Sequence, residues 1–396
     1  MNDMRDVVIA GYARTPIGKL NGSLSSVPAV ELGAVAMRCA LERAGVAPED
    51  VDQVIMGTVI AAGQGQAPAR QAAMRAGLPI GVPALTINKV CASGLKAVNL
   101  AAQMIRAGDA DVVVAGGMES MSNSPYMLEK ARSGYRMGDG ILFDSMMRDG
   151  LQCPVGDVPM HVYGSDVAAE FDISREAQDQ WALCSQQRYQ AALAEGKPER
   201  EIVPVSVPAP KGESIRVDRD EQPRVGTTLE ALQRLKPLKA GGSVTAGNAP
   251  GVNDAAAALV VMSADRASAL GVRPLAFHLA QGEANAEPRY LHTIPADAIN
   301  RALEKAGLDL EQIGLFEINE AFAAVTLTSM QRLGIGGDNV NVNGGAVALG
   351  HPIGATGARI LGTLILEMER RGVPYGATGI CSGLGQGEAT VVRLAS

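Results

Sequence analysis

Two stretches far apart in the chain carry the same alternation of apolar and polar positions. LERAGVAPEDVDQVIMG, residues 41–57, aligns without a gap on LEKAGLDLEQIGLFEIN, residues 303–319, an offset of 262 from Leu41 to Leu303. Each reads as a helix end, an Ala-Gly stop, an acidic connector and a short apolar strand. A second pair lies at nearly the same offset. CASGLKAVNLAAQMIRAGDADVVVAGG (91–117) resembles HPIGATGARILGTLILEMERRGVPYGATGICSG (351–383), and setting Cys91 on His351 gives 260. Both copies open on a turn of small residues, run through a helix apolar on nearly every side, stop at Arg-x-Gly and end in a buried strand. A helix apolar all round belongs in an interior. Repeated strand–helix units imply α/β sheets covered by helices, here as two pseudo-symmetric halves.

The stretch from 119 to about 250 breaks this pattern. It is richer in charge and proline, as in EIVPVSVPAPKGESIRVDRDEQPRVG, and holds the single Trp. One helix is clear in it: Ser174 stands as N-cap with Glu176 in the first turn, and Ala177, Trp181 and Cys184 follow at helical spacing. The region reads as an insertion packed over the first half, of a size that serves ligand binding or association. The division expected is a first half over 1–118, an inserted loop domain over 119–250 and a second half over 251–396. In the alternative division the first half reclaims residues up to about 270.

Composition narrows the function classes. With 396 residues, 47% of them hydrophobic, the chain can bury two or three substantial cores. No early basic-then-apolar segment and no uninterrupted apolar run of membrane-spanning length is visible, and the final VVRLAS lacks a Ser-Lys-Leu address. Five cysteines, an odd number without CxxC spacing, suggest neither a disulfide framework nor a zinc site, and a reducing cytoplasm fits them. The net charge of −7 argues against nucleic acid as a partner. An anionic ligand would rely on local basic groups or helix N-termini.

The duplication gives the candidate chemistry its frame. Cys91 stands where a loop becomes a buried helix, and unpaired N–H groups there favour an anion. A thiol so placed is expected to have a lowered pKa and to react as the thiolate. The matching position in the second half is His351, among glycines in NVNGGAVALGHPIGATGAR, where substrate can approach closely. EINEAFA puts Asn319 and Glu320 just after a strand, and GICSGLGQGEA puts Cys381 before a glycine-rich turn whose N–H groups can meet an oxyanion. Two thiols, an imidazole and an amide suggest acyl transfer joined to carbon-acid chemistry. One Cys carries the acyl group and the other moves a proton at carbon.

These stretches, together with GGMESMSNSPY, ISREAQDQWA and TAGNAPGVNDAAAA, resemble the thiolase family (acetyl-CoA C-acyltransferases) from end to end. The resemblance implies duplicated βαβαβαββ halves stacked as a layered α-β-α-β-α sandwich with an inserted loop domain. It implies Cys91 as the acylated nucleophile, His351 as its activator and Cys381 as the acid/base at the acetyl methyl. Asn319 would fix a water that forms one oxyanion hole with His351, while the N–H groups of Cys91 and Gly383 form the other. Coenzyme A is implied as substrate and product, with no tightly bound cofactor and no metal. Arg224 matches a position near the adenine, and Met160, Ala246, Ala321 and Phe322 match the pantetheine channel. Acetyl-CoA and acyl-CoA are the implied partners, and a dimer or tetramer the implied assembly.

The chain departs from the family pattern at Pro250, where a Ser is frequent, at Pro159, where a His is common, and at Leu384, which replaces a glycine. The stretch YLHTIPAD (290–297) also replaces a Met-Gly-x-Gly-Pro segment. These departures leave catalysis intact and put the acyl chain length in question. Two other readings compete: a decarboxylating condensing enzyme of the same fold, against which Cys381 and Asn319 argue, and a non-catalytic thiolase-like lipid-binding protein, which would have lost Cys91 or His351.

Overall fold

A computed structural model describes residues 5–395. Nine strands build its main sheet: β1 (Val7–Arg14), β2 (Gln53–Gly57), β3 (Ala84–Ile87), β4 (Val112–Ser120), β5 (Asn253–Ser263), β6 (Ala276–Asn285), β7 (Leu315–Ile318), β8 (Tyr375–Ser382) and β9 (Gln386–Leu394). Their order is β3-β2-β4-β5-β1-β6-β9-β8-β7, with the two-residue strand Gly18–Lys19 added against β5. Read outward from the middle, the order on each side is the same. β2 runs parallel to β3 and β4, as β7 runs parallel to β8. A parallel bridge from Phe316 to Val340 stands where β3 stands in the first half. β1 and β6 meet only over Val8 and Ile9, so a short ladder joins two half-sheets.

Alternation along the strands sorts side chains into three cores. Val8, Ala10, Val112, Val114 and Val260 face one outer core, shared with helices α1 (Ala29–Ala44) and α2 (Pro68–Ala76). Their neighbours Val7, Ile9, Val113, Ala115 and Val261 face a central core with α3 (Ser93–Ala107) and, from the second half, the helix over Thr356–Arg371. The segment between β4 and β5 supplies α4 (Met160–Glu170) and α5 (Arg175–Ala194). In the second half α6 (Ile294–Ala306) and α7 (Ala323–Leu333) cover the other outer face, over Ala377 and Val391. α8 (Thr356–Arg371) and α3 pack on each other and on strands of both halves. The result is the expected helix–sheet–helix–sheet–helix layering.

The repeated sequence signals fold as repeated structure. α1 and α6 stop at Gly45 and Gly307, α3 and α8 at Gly108 and Gly372, and all four glycines take a left-handed φ between 64° and 85°. A residue with a Cβ closes this kind of helix end only under strain. Every residue of α8 from Thr356 to Leu364 is buried, so the helix apolar on nearly every side does sit in the interior. Its one charge there, Arg359, pairs with buried Glu317.

α5 starts as expected, with the Ser174 hydroxyl accepting the Ala177 N–H at 3.1 Å. Its buried face differs from the apolar spacing. Gln178, Asp179, Ser185 and Gln186 are buried, whereas Ala177 and Cys184 are only half-buried. Most polar atoms at those positions are bonded, Gln178 Oε1 being an exception: Asp179, for example, accepts from Arg175 at 2.7 Å and from Asn248 at 2.9 Å. Among the described residues no helix is long and apolar enough to cross a membrane.

Candidate active site

The turn between β3 and α3 holds Cys91 under backbone strain. Val90 sits at a φ of 45°, a left-handed conformation that a β-branched residue rarely adopts. Several bonds hold it there. Asn88 Oδ1 accepts the Val90 N–H at 2.9 Å, Ser93 Oγ accepts the Lys89 N–H at 2.8 Å, and the Ser93 hydroxyl donates to Val90 O at 2.6 Å. From the second half the Ser382 hydroxyl donates to Lys89 O, tying this turn to the end of β8. Cys381 is the residue before Ser382, and Gly383 the residue after it. The N–H of Gly383 favours the Cys91 thiolate.

The electrostatics correct the expectation of a resting thiolate. Burial pushes the Cys91 thiol up to about 12, against the downward pull of the N–H groups of Gly383 and of Cys91 itself. The helix-terminus N–H groups act in the expected direction, and desolvation outweighs them. Cys91 is half-buried as a whole because one side of it borders a cavity. Burial also raises the Cys381 thiol, and the charge on Cys91 adds to this, so an ionised Cys91 disfavours ionisation of Cys381. At neutral pH both are protonated and need a base.

His351 borders the same cavity. Its backbone N–H donates to Asn253 Oδ1 at 2.9 Å, and Nδ1 lies 2.7 Å from the hydroxyl of Thr356, the first residue of α8. Nε2 is buried and makes no hydrogen bond within the protein. Burial, and then the charge of Arg359, pushes the imidazole down to about 3, so it is neutral and able to accept a proton. The preceding Gly350 has a φ of 108°, and a Cβ there would lie 2.5 Å from the Asn253 side chain, so only glycine lets the chain pass.

Asn319 follows β7 and donates its backbone N–H to Gly379 O at 2.9 Å, while neither of its side-chain polar atoms bonds to protein. Next to it, Glu320 is fully satisfied. Its carboxylate accepts from Trp181 Nε1, Ser185 Oγ and the Val347 N–H, each at 2.9 Å, and from Asn341 at 3.0 Å. Glu320 therefore locks the Asn319 loop to α5 and is a structural anchor.

A cavity of about 320 Å³ unites most of these groups. Cys91, Cys381, Gly383 and His351 line it together with Met160, Ala321 and Phe322. Arg224 and Ala246 are outside its lining and near each other, with the Arg224 guanidinium donating to Ala246 O at 3.4 Å. Asn319 is likewise outside the lining. Pro159 and Pro250 also border the cavity. Leu384 borders a neighbouring cavity, with Val90, and is held at a φ of 65°. Sequence reasoning missed the apolar side of the chamber, formed by Met121, Met147, Leu151, Leu291 and Ile353. It also gave no role to Glu119 or Thr356. Glu119 had a visible signal, as the one carboxylate in GGMESMS inside a buried strand end.

Comparison with known proteins shows the family and the fold. Residues 7–265 match the family model of the thiolase N-terminal domain, and residues 272–394 that of the thiolase C-terminal domain. The chain is 52% identical over 387 residues to the acetyl-CoA acetyltransferase of Pseudomonas aeruginosa, covering 98% of each chain. It is 52% identical over 391 residues to that of Cupriavidus necator, covering 98% of this chain and 100% of the relative. The crystal structure of the Bacillus anthracis acetyl-CoA acetyltransferase superposes with a TM-score of 0.97 at 40% identity, over 100% of both chains. The chain belongs to the thiolase family.

Proposed function

We propose that the protein is an acyltransferase that joins acetyl-CoA to an acyl-CoA, forming acetoacetyl-CoA from two acetyl units, and in reverse cleaves 3-ketoacyl-CoA with coenzyme A. The observation that carries this reading is one cavity bordered by two thiols, a neutral imidazole and the Gly383 N–H. Relatives named acetyl-CoA acetyltransferase at about half identity support the substrate class.

The chemistry follows from the protonation states. His351 Nε2 takes the Cys91 proton as sulfur attacks the thioester carbonyl, and the N–H groups of Cys91 and Gly383 receive the oxyanion. The imidazolium returns its proton to the departing CoA thiolate, leaving acyl-Cys91. In the second half-reaction Cys381 passes its proton to His351 Nε2 and, as thiolate, removes a methyl proton from acetyl-CoA. The enolate oxygen is held by the new Nε2–H of His351 and by a water on Asn319, and its carbon attacks acyl-Cys91 as the C–S bond breaks and the Cys91 thiolate takes the Nε2 proton back. Met160, Ala246, Ala321 and Phe322 flank the pantetheine arm, with Arg224 toward the adenine end. Coenzyme A is substrate and product, and the scheme uses no tightly bound cofactor or metal.

The division into two halves with a covering insertion, a cytoplasmic setting and a homodimer or homotetramer complete the reading. Five free thiols fit a reducing compartment. For association the support is β3, an edge strand paired on one side only and bearing exposed Leu85. The experiment is to mix the protein with acetyl-CoA and follow CoA release and peptide mass. We expect a burst and a gain of about 42 Da, one acetyl group, on the Cys91 peptide. Acetyl on Cys381 instead would reverse the assignment. Comparing kcat/KM for acetoacetyl-CoA with longer 3-ketoacyl-CoAs then fixes the chain length.

A further inference from the structure

The hydroxyl of Thr356 has one hydrogen and two neighbours. It lies 2.9 Å from the carbonyl oxygen of Pro352, one helical turn back, and 2.7 Å from Nδ1 of His351. A carbonyl oxygen can only accept, so the hydrogen on the Pro352 side is the threonine's own. The oxygen of Thr356 is then left to accept, and both short contacts are hydrogen bonds together only when Nδ1 carries a proton. The opposite tautomer gives up one of the two contacts. It also leaves a buried Nε2–H with no protein acceptor hydrogen-bonded to it, the costlier kind of orphan. Burial and the nearby Arg359 disfavour a second proton on the ring.

We propose that Thr356 is a positioning residue that holds resting His351 in the Nδ1–H tautomer, so that Nε2 presents a lone pair to the cavity. This rests on His351 being the base for Cys91 and adds how the ring is kept ready. When the Cys91 S–H bond breaks, its proton forms the new Nε2–H bond while the bond from Nδ1–H to Thr356 persists. The same Nε2 then donates to an oxyanion. One nitrogen thus serves as base and then as donor without the ring turning. The second nitrogen stays fixed to the first turn of α8, the helix that also packs on the Cys91 helix.

The test is a long-range ¹H–¹⁵N correlation on protein labelled in its four histidines, with His351 assigned by its loss in His351→Asn. The expected result is a protonated Nδ1 and a bare Nε2 at neutral pH. An Nε2–H tautomer overturns the proposal. Thr356→Val keeps the shape and removes the hydroxyl; acylation of Cys91 should slow by roughly 10–100-fold, the usual effect of removing a partner that orients a functional histidine. KM for acetyl-CoA should stay close to parental, and Thr356→Ser should recover most of the rate. Thr356→Val acylating at the parental rate also overturns it. If that variant does not fold, the parental tautomer and the serine variant still decide. The tautomer is read without turnover, so an enzyme that never acylates Cys91 would sink the functional reading separately.

Discussion

The carboxylate of Glu119, in β4 of the first half, accepts the backbone N–H of Gly354 at 2.9 Å. Gly354 lies three residues past His351, so a first-half side chain seats the second-half loop that carries His351. The same carboxylate accepts from the Val59 N–H at 2.9 Å and from the Ile60 N–H and the Thr58 hydroxyl at 3.2 Å. A Cβ on Gly354 would stand 2.6 Å from Glu119 Oε2, so the contact requires a bare backbone. Burial lifts Glu119 to about 7 even though four donors pull it down.

Glu119→Gln tests this seat. All four partners donate, and the amide nitrogen of Gln would face two of them. We expect a stability loss of about 1–3 kcal/mol, the cost of unpaired buried donors, together with slower acylation of Cys91 as the His351 loop shifts. Denaturant melts and pre-steady-state CoA release measure the two effects. Slower acylation with an unchanged melt would point to a direct chemical role for Glu119 instead.

The two thiols should separate the two half-reactions. Cys91→Ala is expected to give no acyl-enzyme at all. Cys381→Ala should still take up one acetyl group and release CoA, yet lose carbon–carbon bond formation by at least about 10²-fold, the lower worth of a positioned acid/base group. In Cys91→Ala, Cys381 should in turn ionise at lower pH, since the Cys91 charge that raises it is gone. Alkylation of Cys381 in that variant as a function of pH reads this directly. An unchanged profile would show that Cys381 does not sense Cys91.

Much of this arrangement was legible before any coordinates, and the reasons are local. Gly45 and Gly307, with the helix before and the strand after, repeat because each copy must close a helix in the same way. Cys91, His351, Cys381 and Gly383 stood out because reactive side chains lie among residues too small to be there for packing. Glu119 and Thr356 did not. Glu119 acts on a loop more than two hundred positions away, and Thr356 looks like an ordinary small helix residue until its hydrogen is counted. The protonation of Cys91 was misread for a related reason. The helix terminus is visible in the sequence, whereas the depth of burial depends on both halves closing over the thiol. The polar buried face of α5 is likewise defined by its partners, Glu320 and Asn248, which are distant in sequence.

Stability should form a plateau in pH. Burial lowers His278 and His351 to about 3 and His292 to about 4, all below the ordinary 6.5. Burial raises Glu119 to about 7 and Glu317 to about 8 from an ordinary 4.5. Between pH 4.5 and 6.5 the folded state lacks protons on the histidines and keeps extra ones on the carboxyls, and the two effects offset. Below 4.5 the carboxyl effect ends while the histidine deficit continues. Glu283 and Glu367, drawn down to about 2 by basic partners despite burial, add to it. Stability is then lost as pH falls, by about 1.4 kcal/mol per pH unit for each proton taken up on unfolding. Above 6.5 only the raised carboxyls remain, and stability declines through pH 7 and 8. Urea melts from pH 4 to 8.5 should trace this shape. A maximum at pH 8 or above would contradict it.

The last prediction concerns the crossing of the two central helices. Gly94, three residues past Cys91, has no room for a Cβ, which would lie 2.9 Å from both Ala358 N and Gly354 O. Gly357, six residues past His351, is equally closed, since its Cβ would lie 2.5 Å from Leu95 N. α3 and α8 therefore touch backbone to backbone beside the loops that carry Cys91 and His351. In Gly357→Ala the helices must part, with an overpacking cost of about 1–3 kcal/mol, and Cys91 must move relative to His351. Acylation per folded molecule should fall along with stability. Gly307→Ala is the control. That glycine closes α6 in the outer layer at a φ of 64° with nothing within 4 Å, so alanine there is strained yet remote from the thiols. It should lower the melt by about 1 kcal/mol, in the range of left-handed strain, and leave acylation unchanged. If both variants acylate at the parental rate, the glycine crossing serves packing alone and does not set the distance between Cys91 and His351.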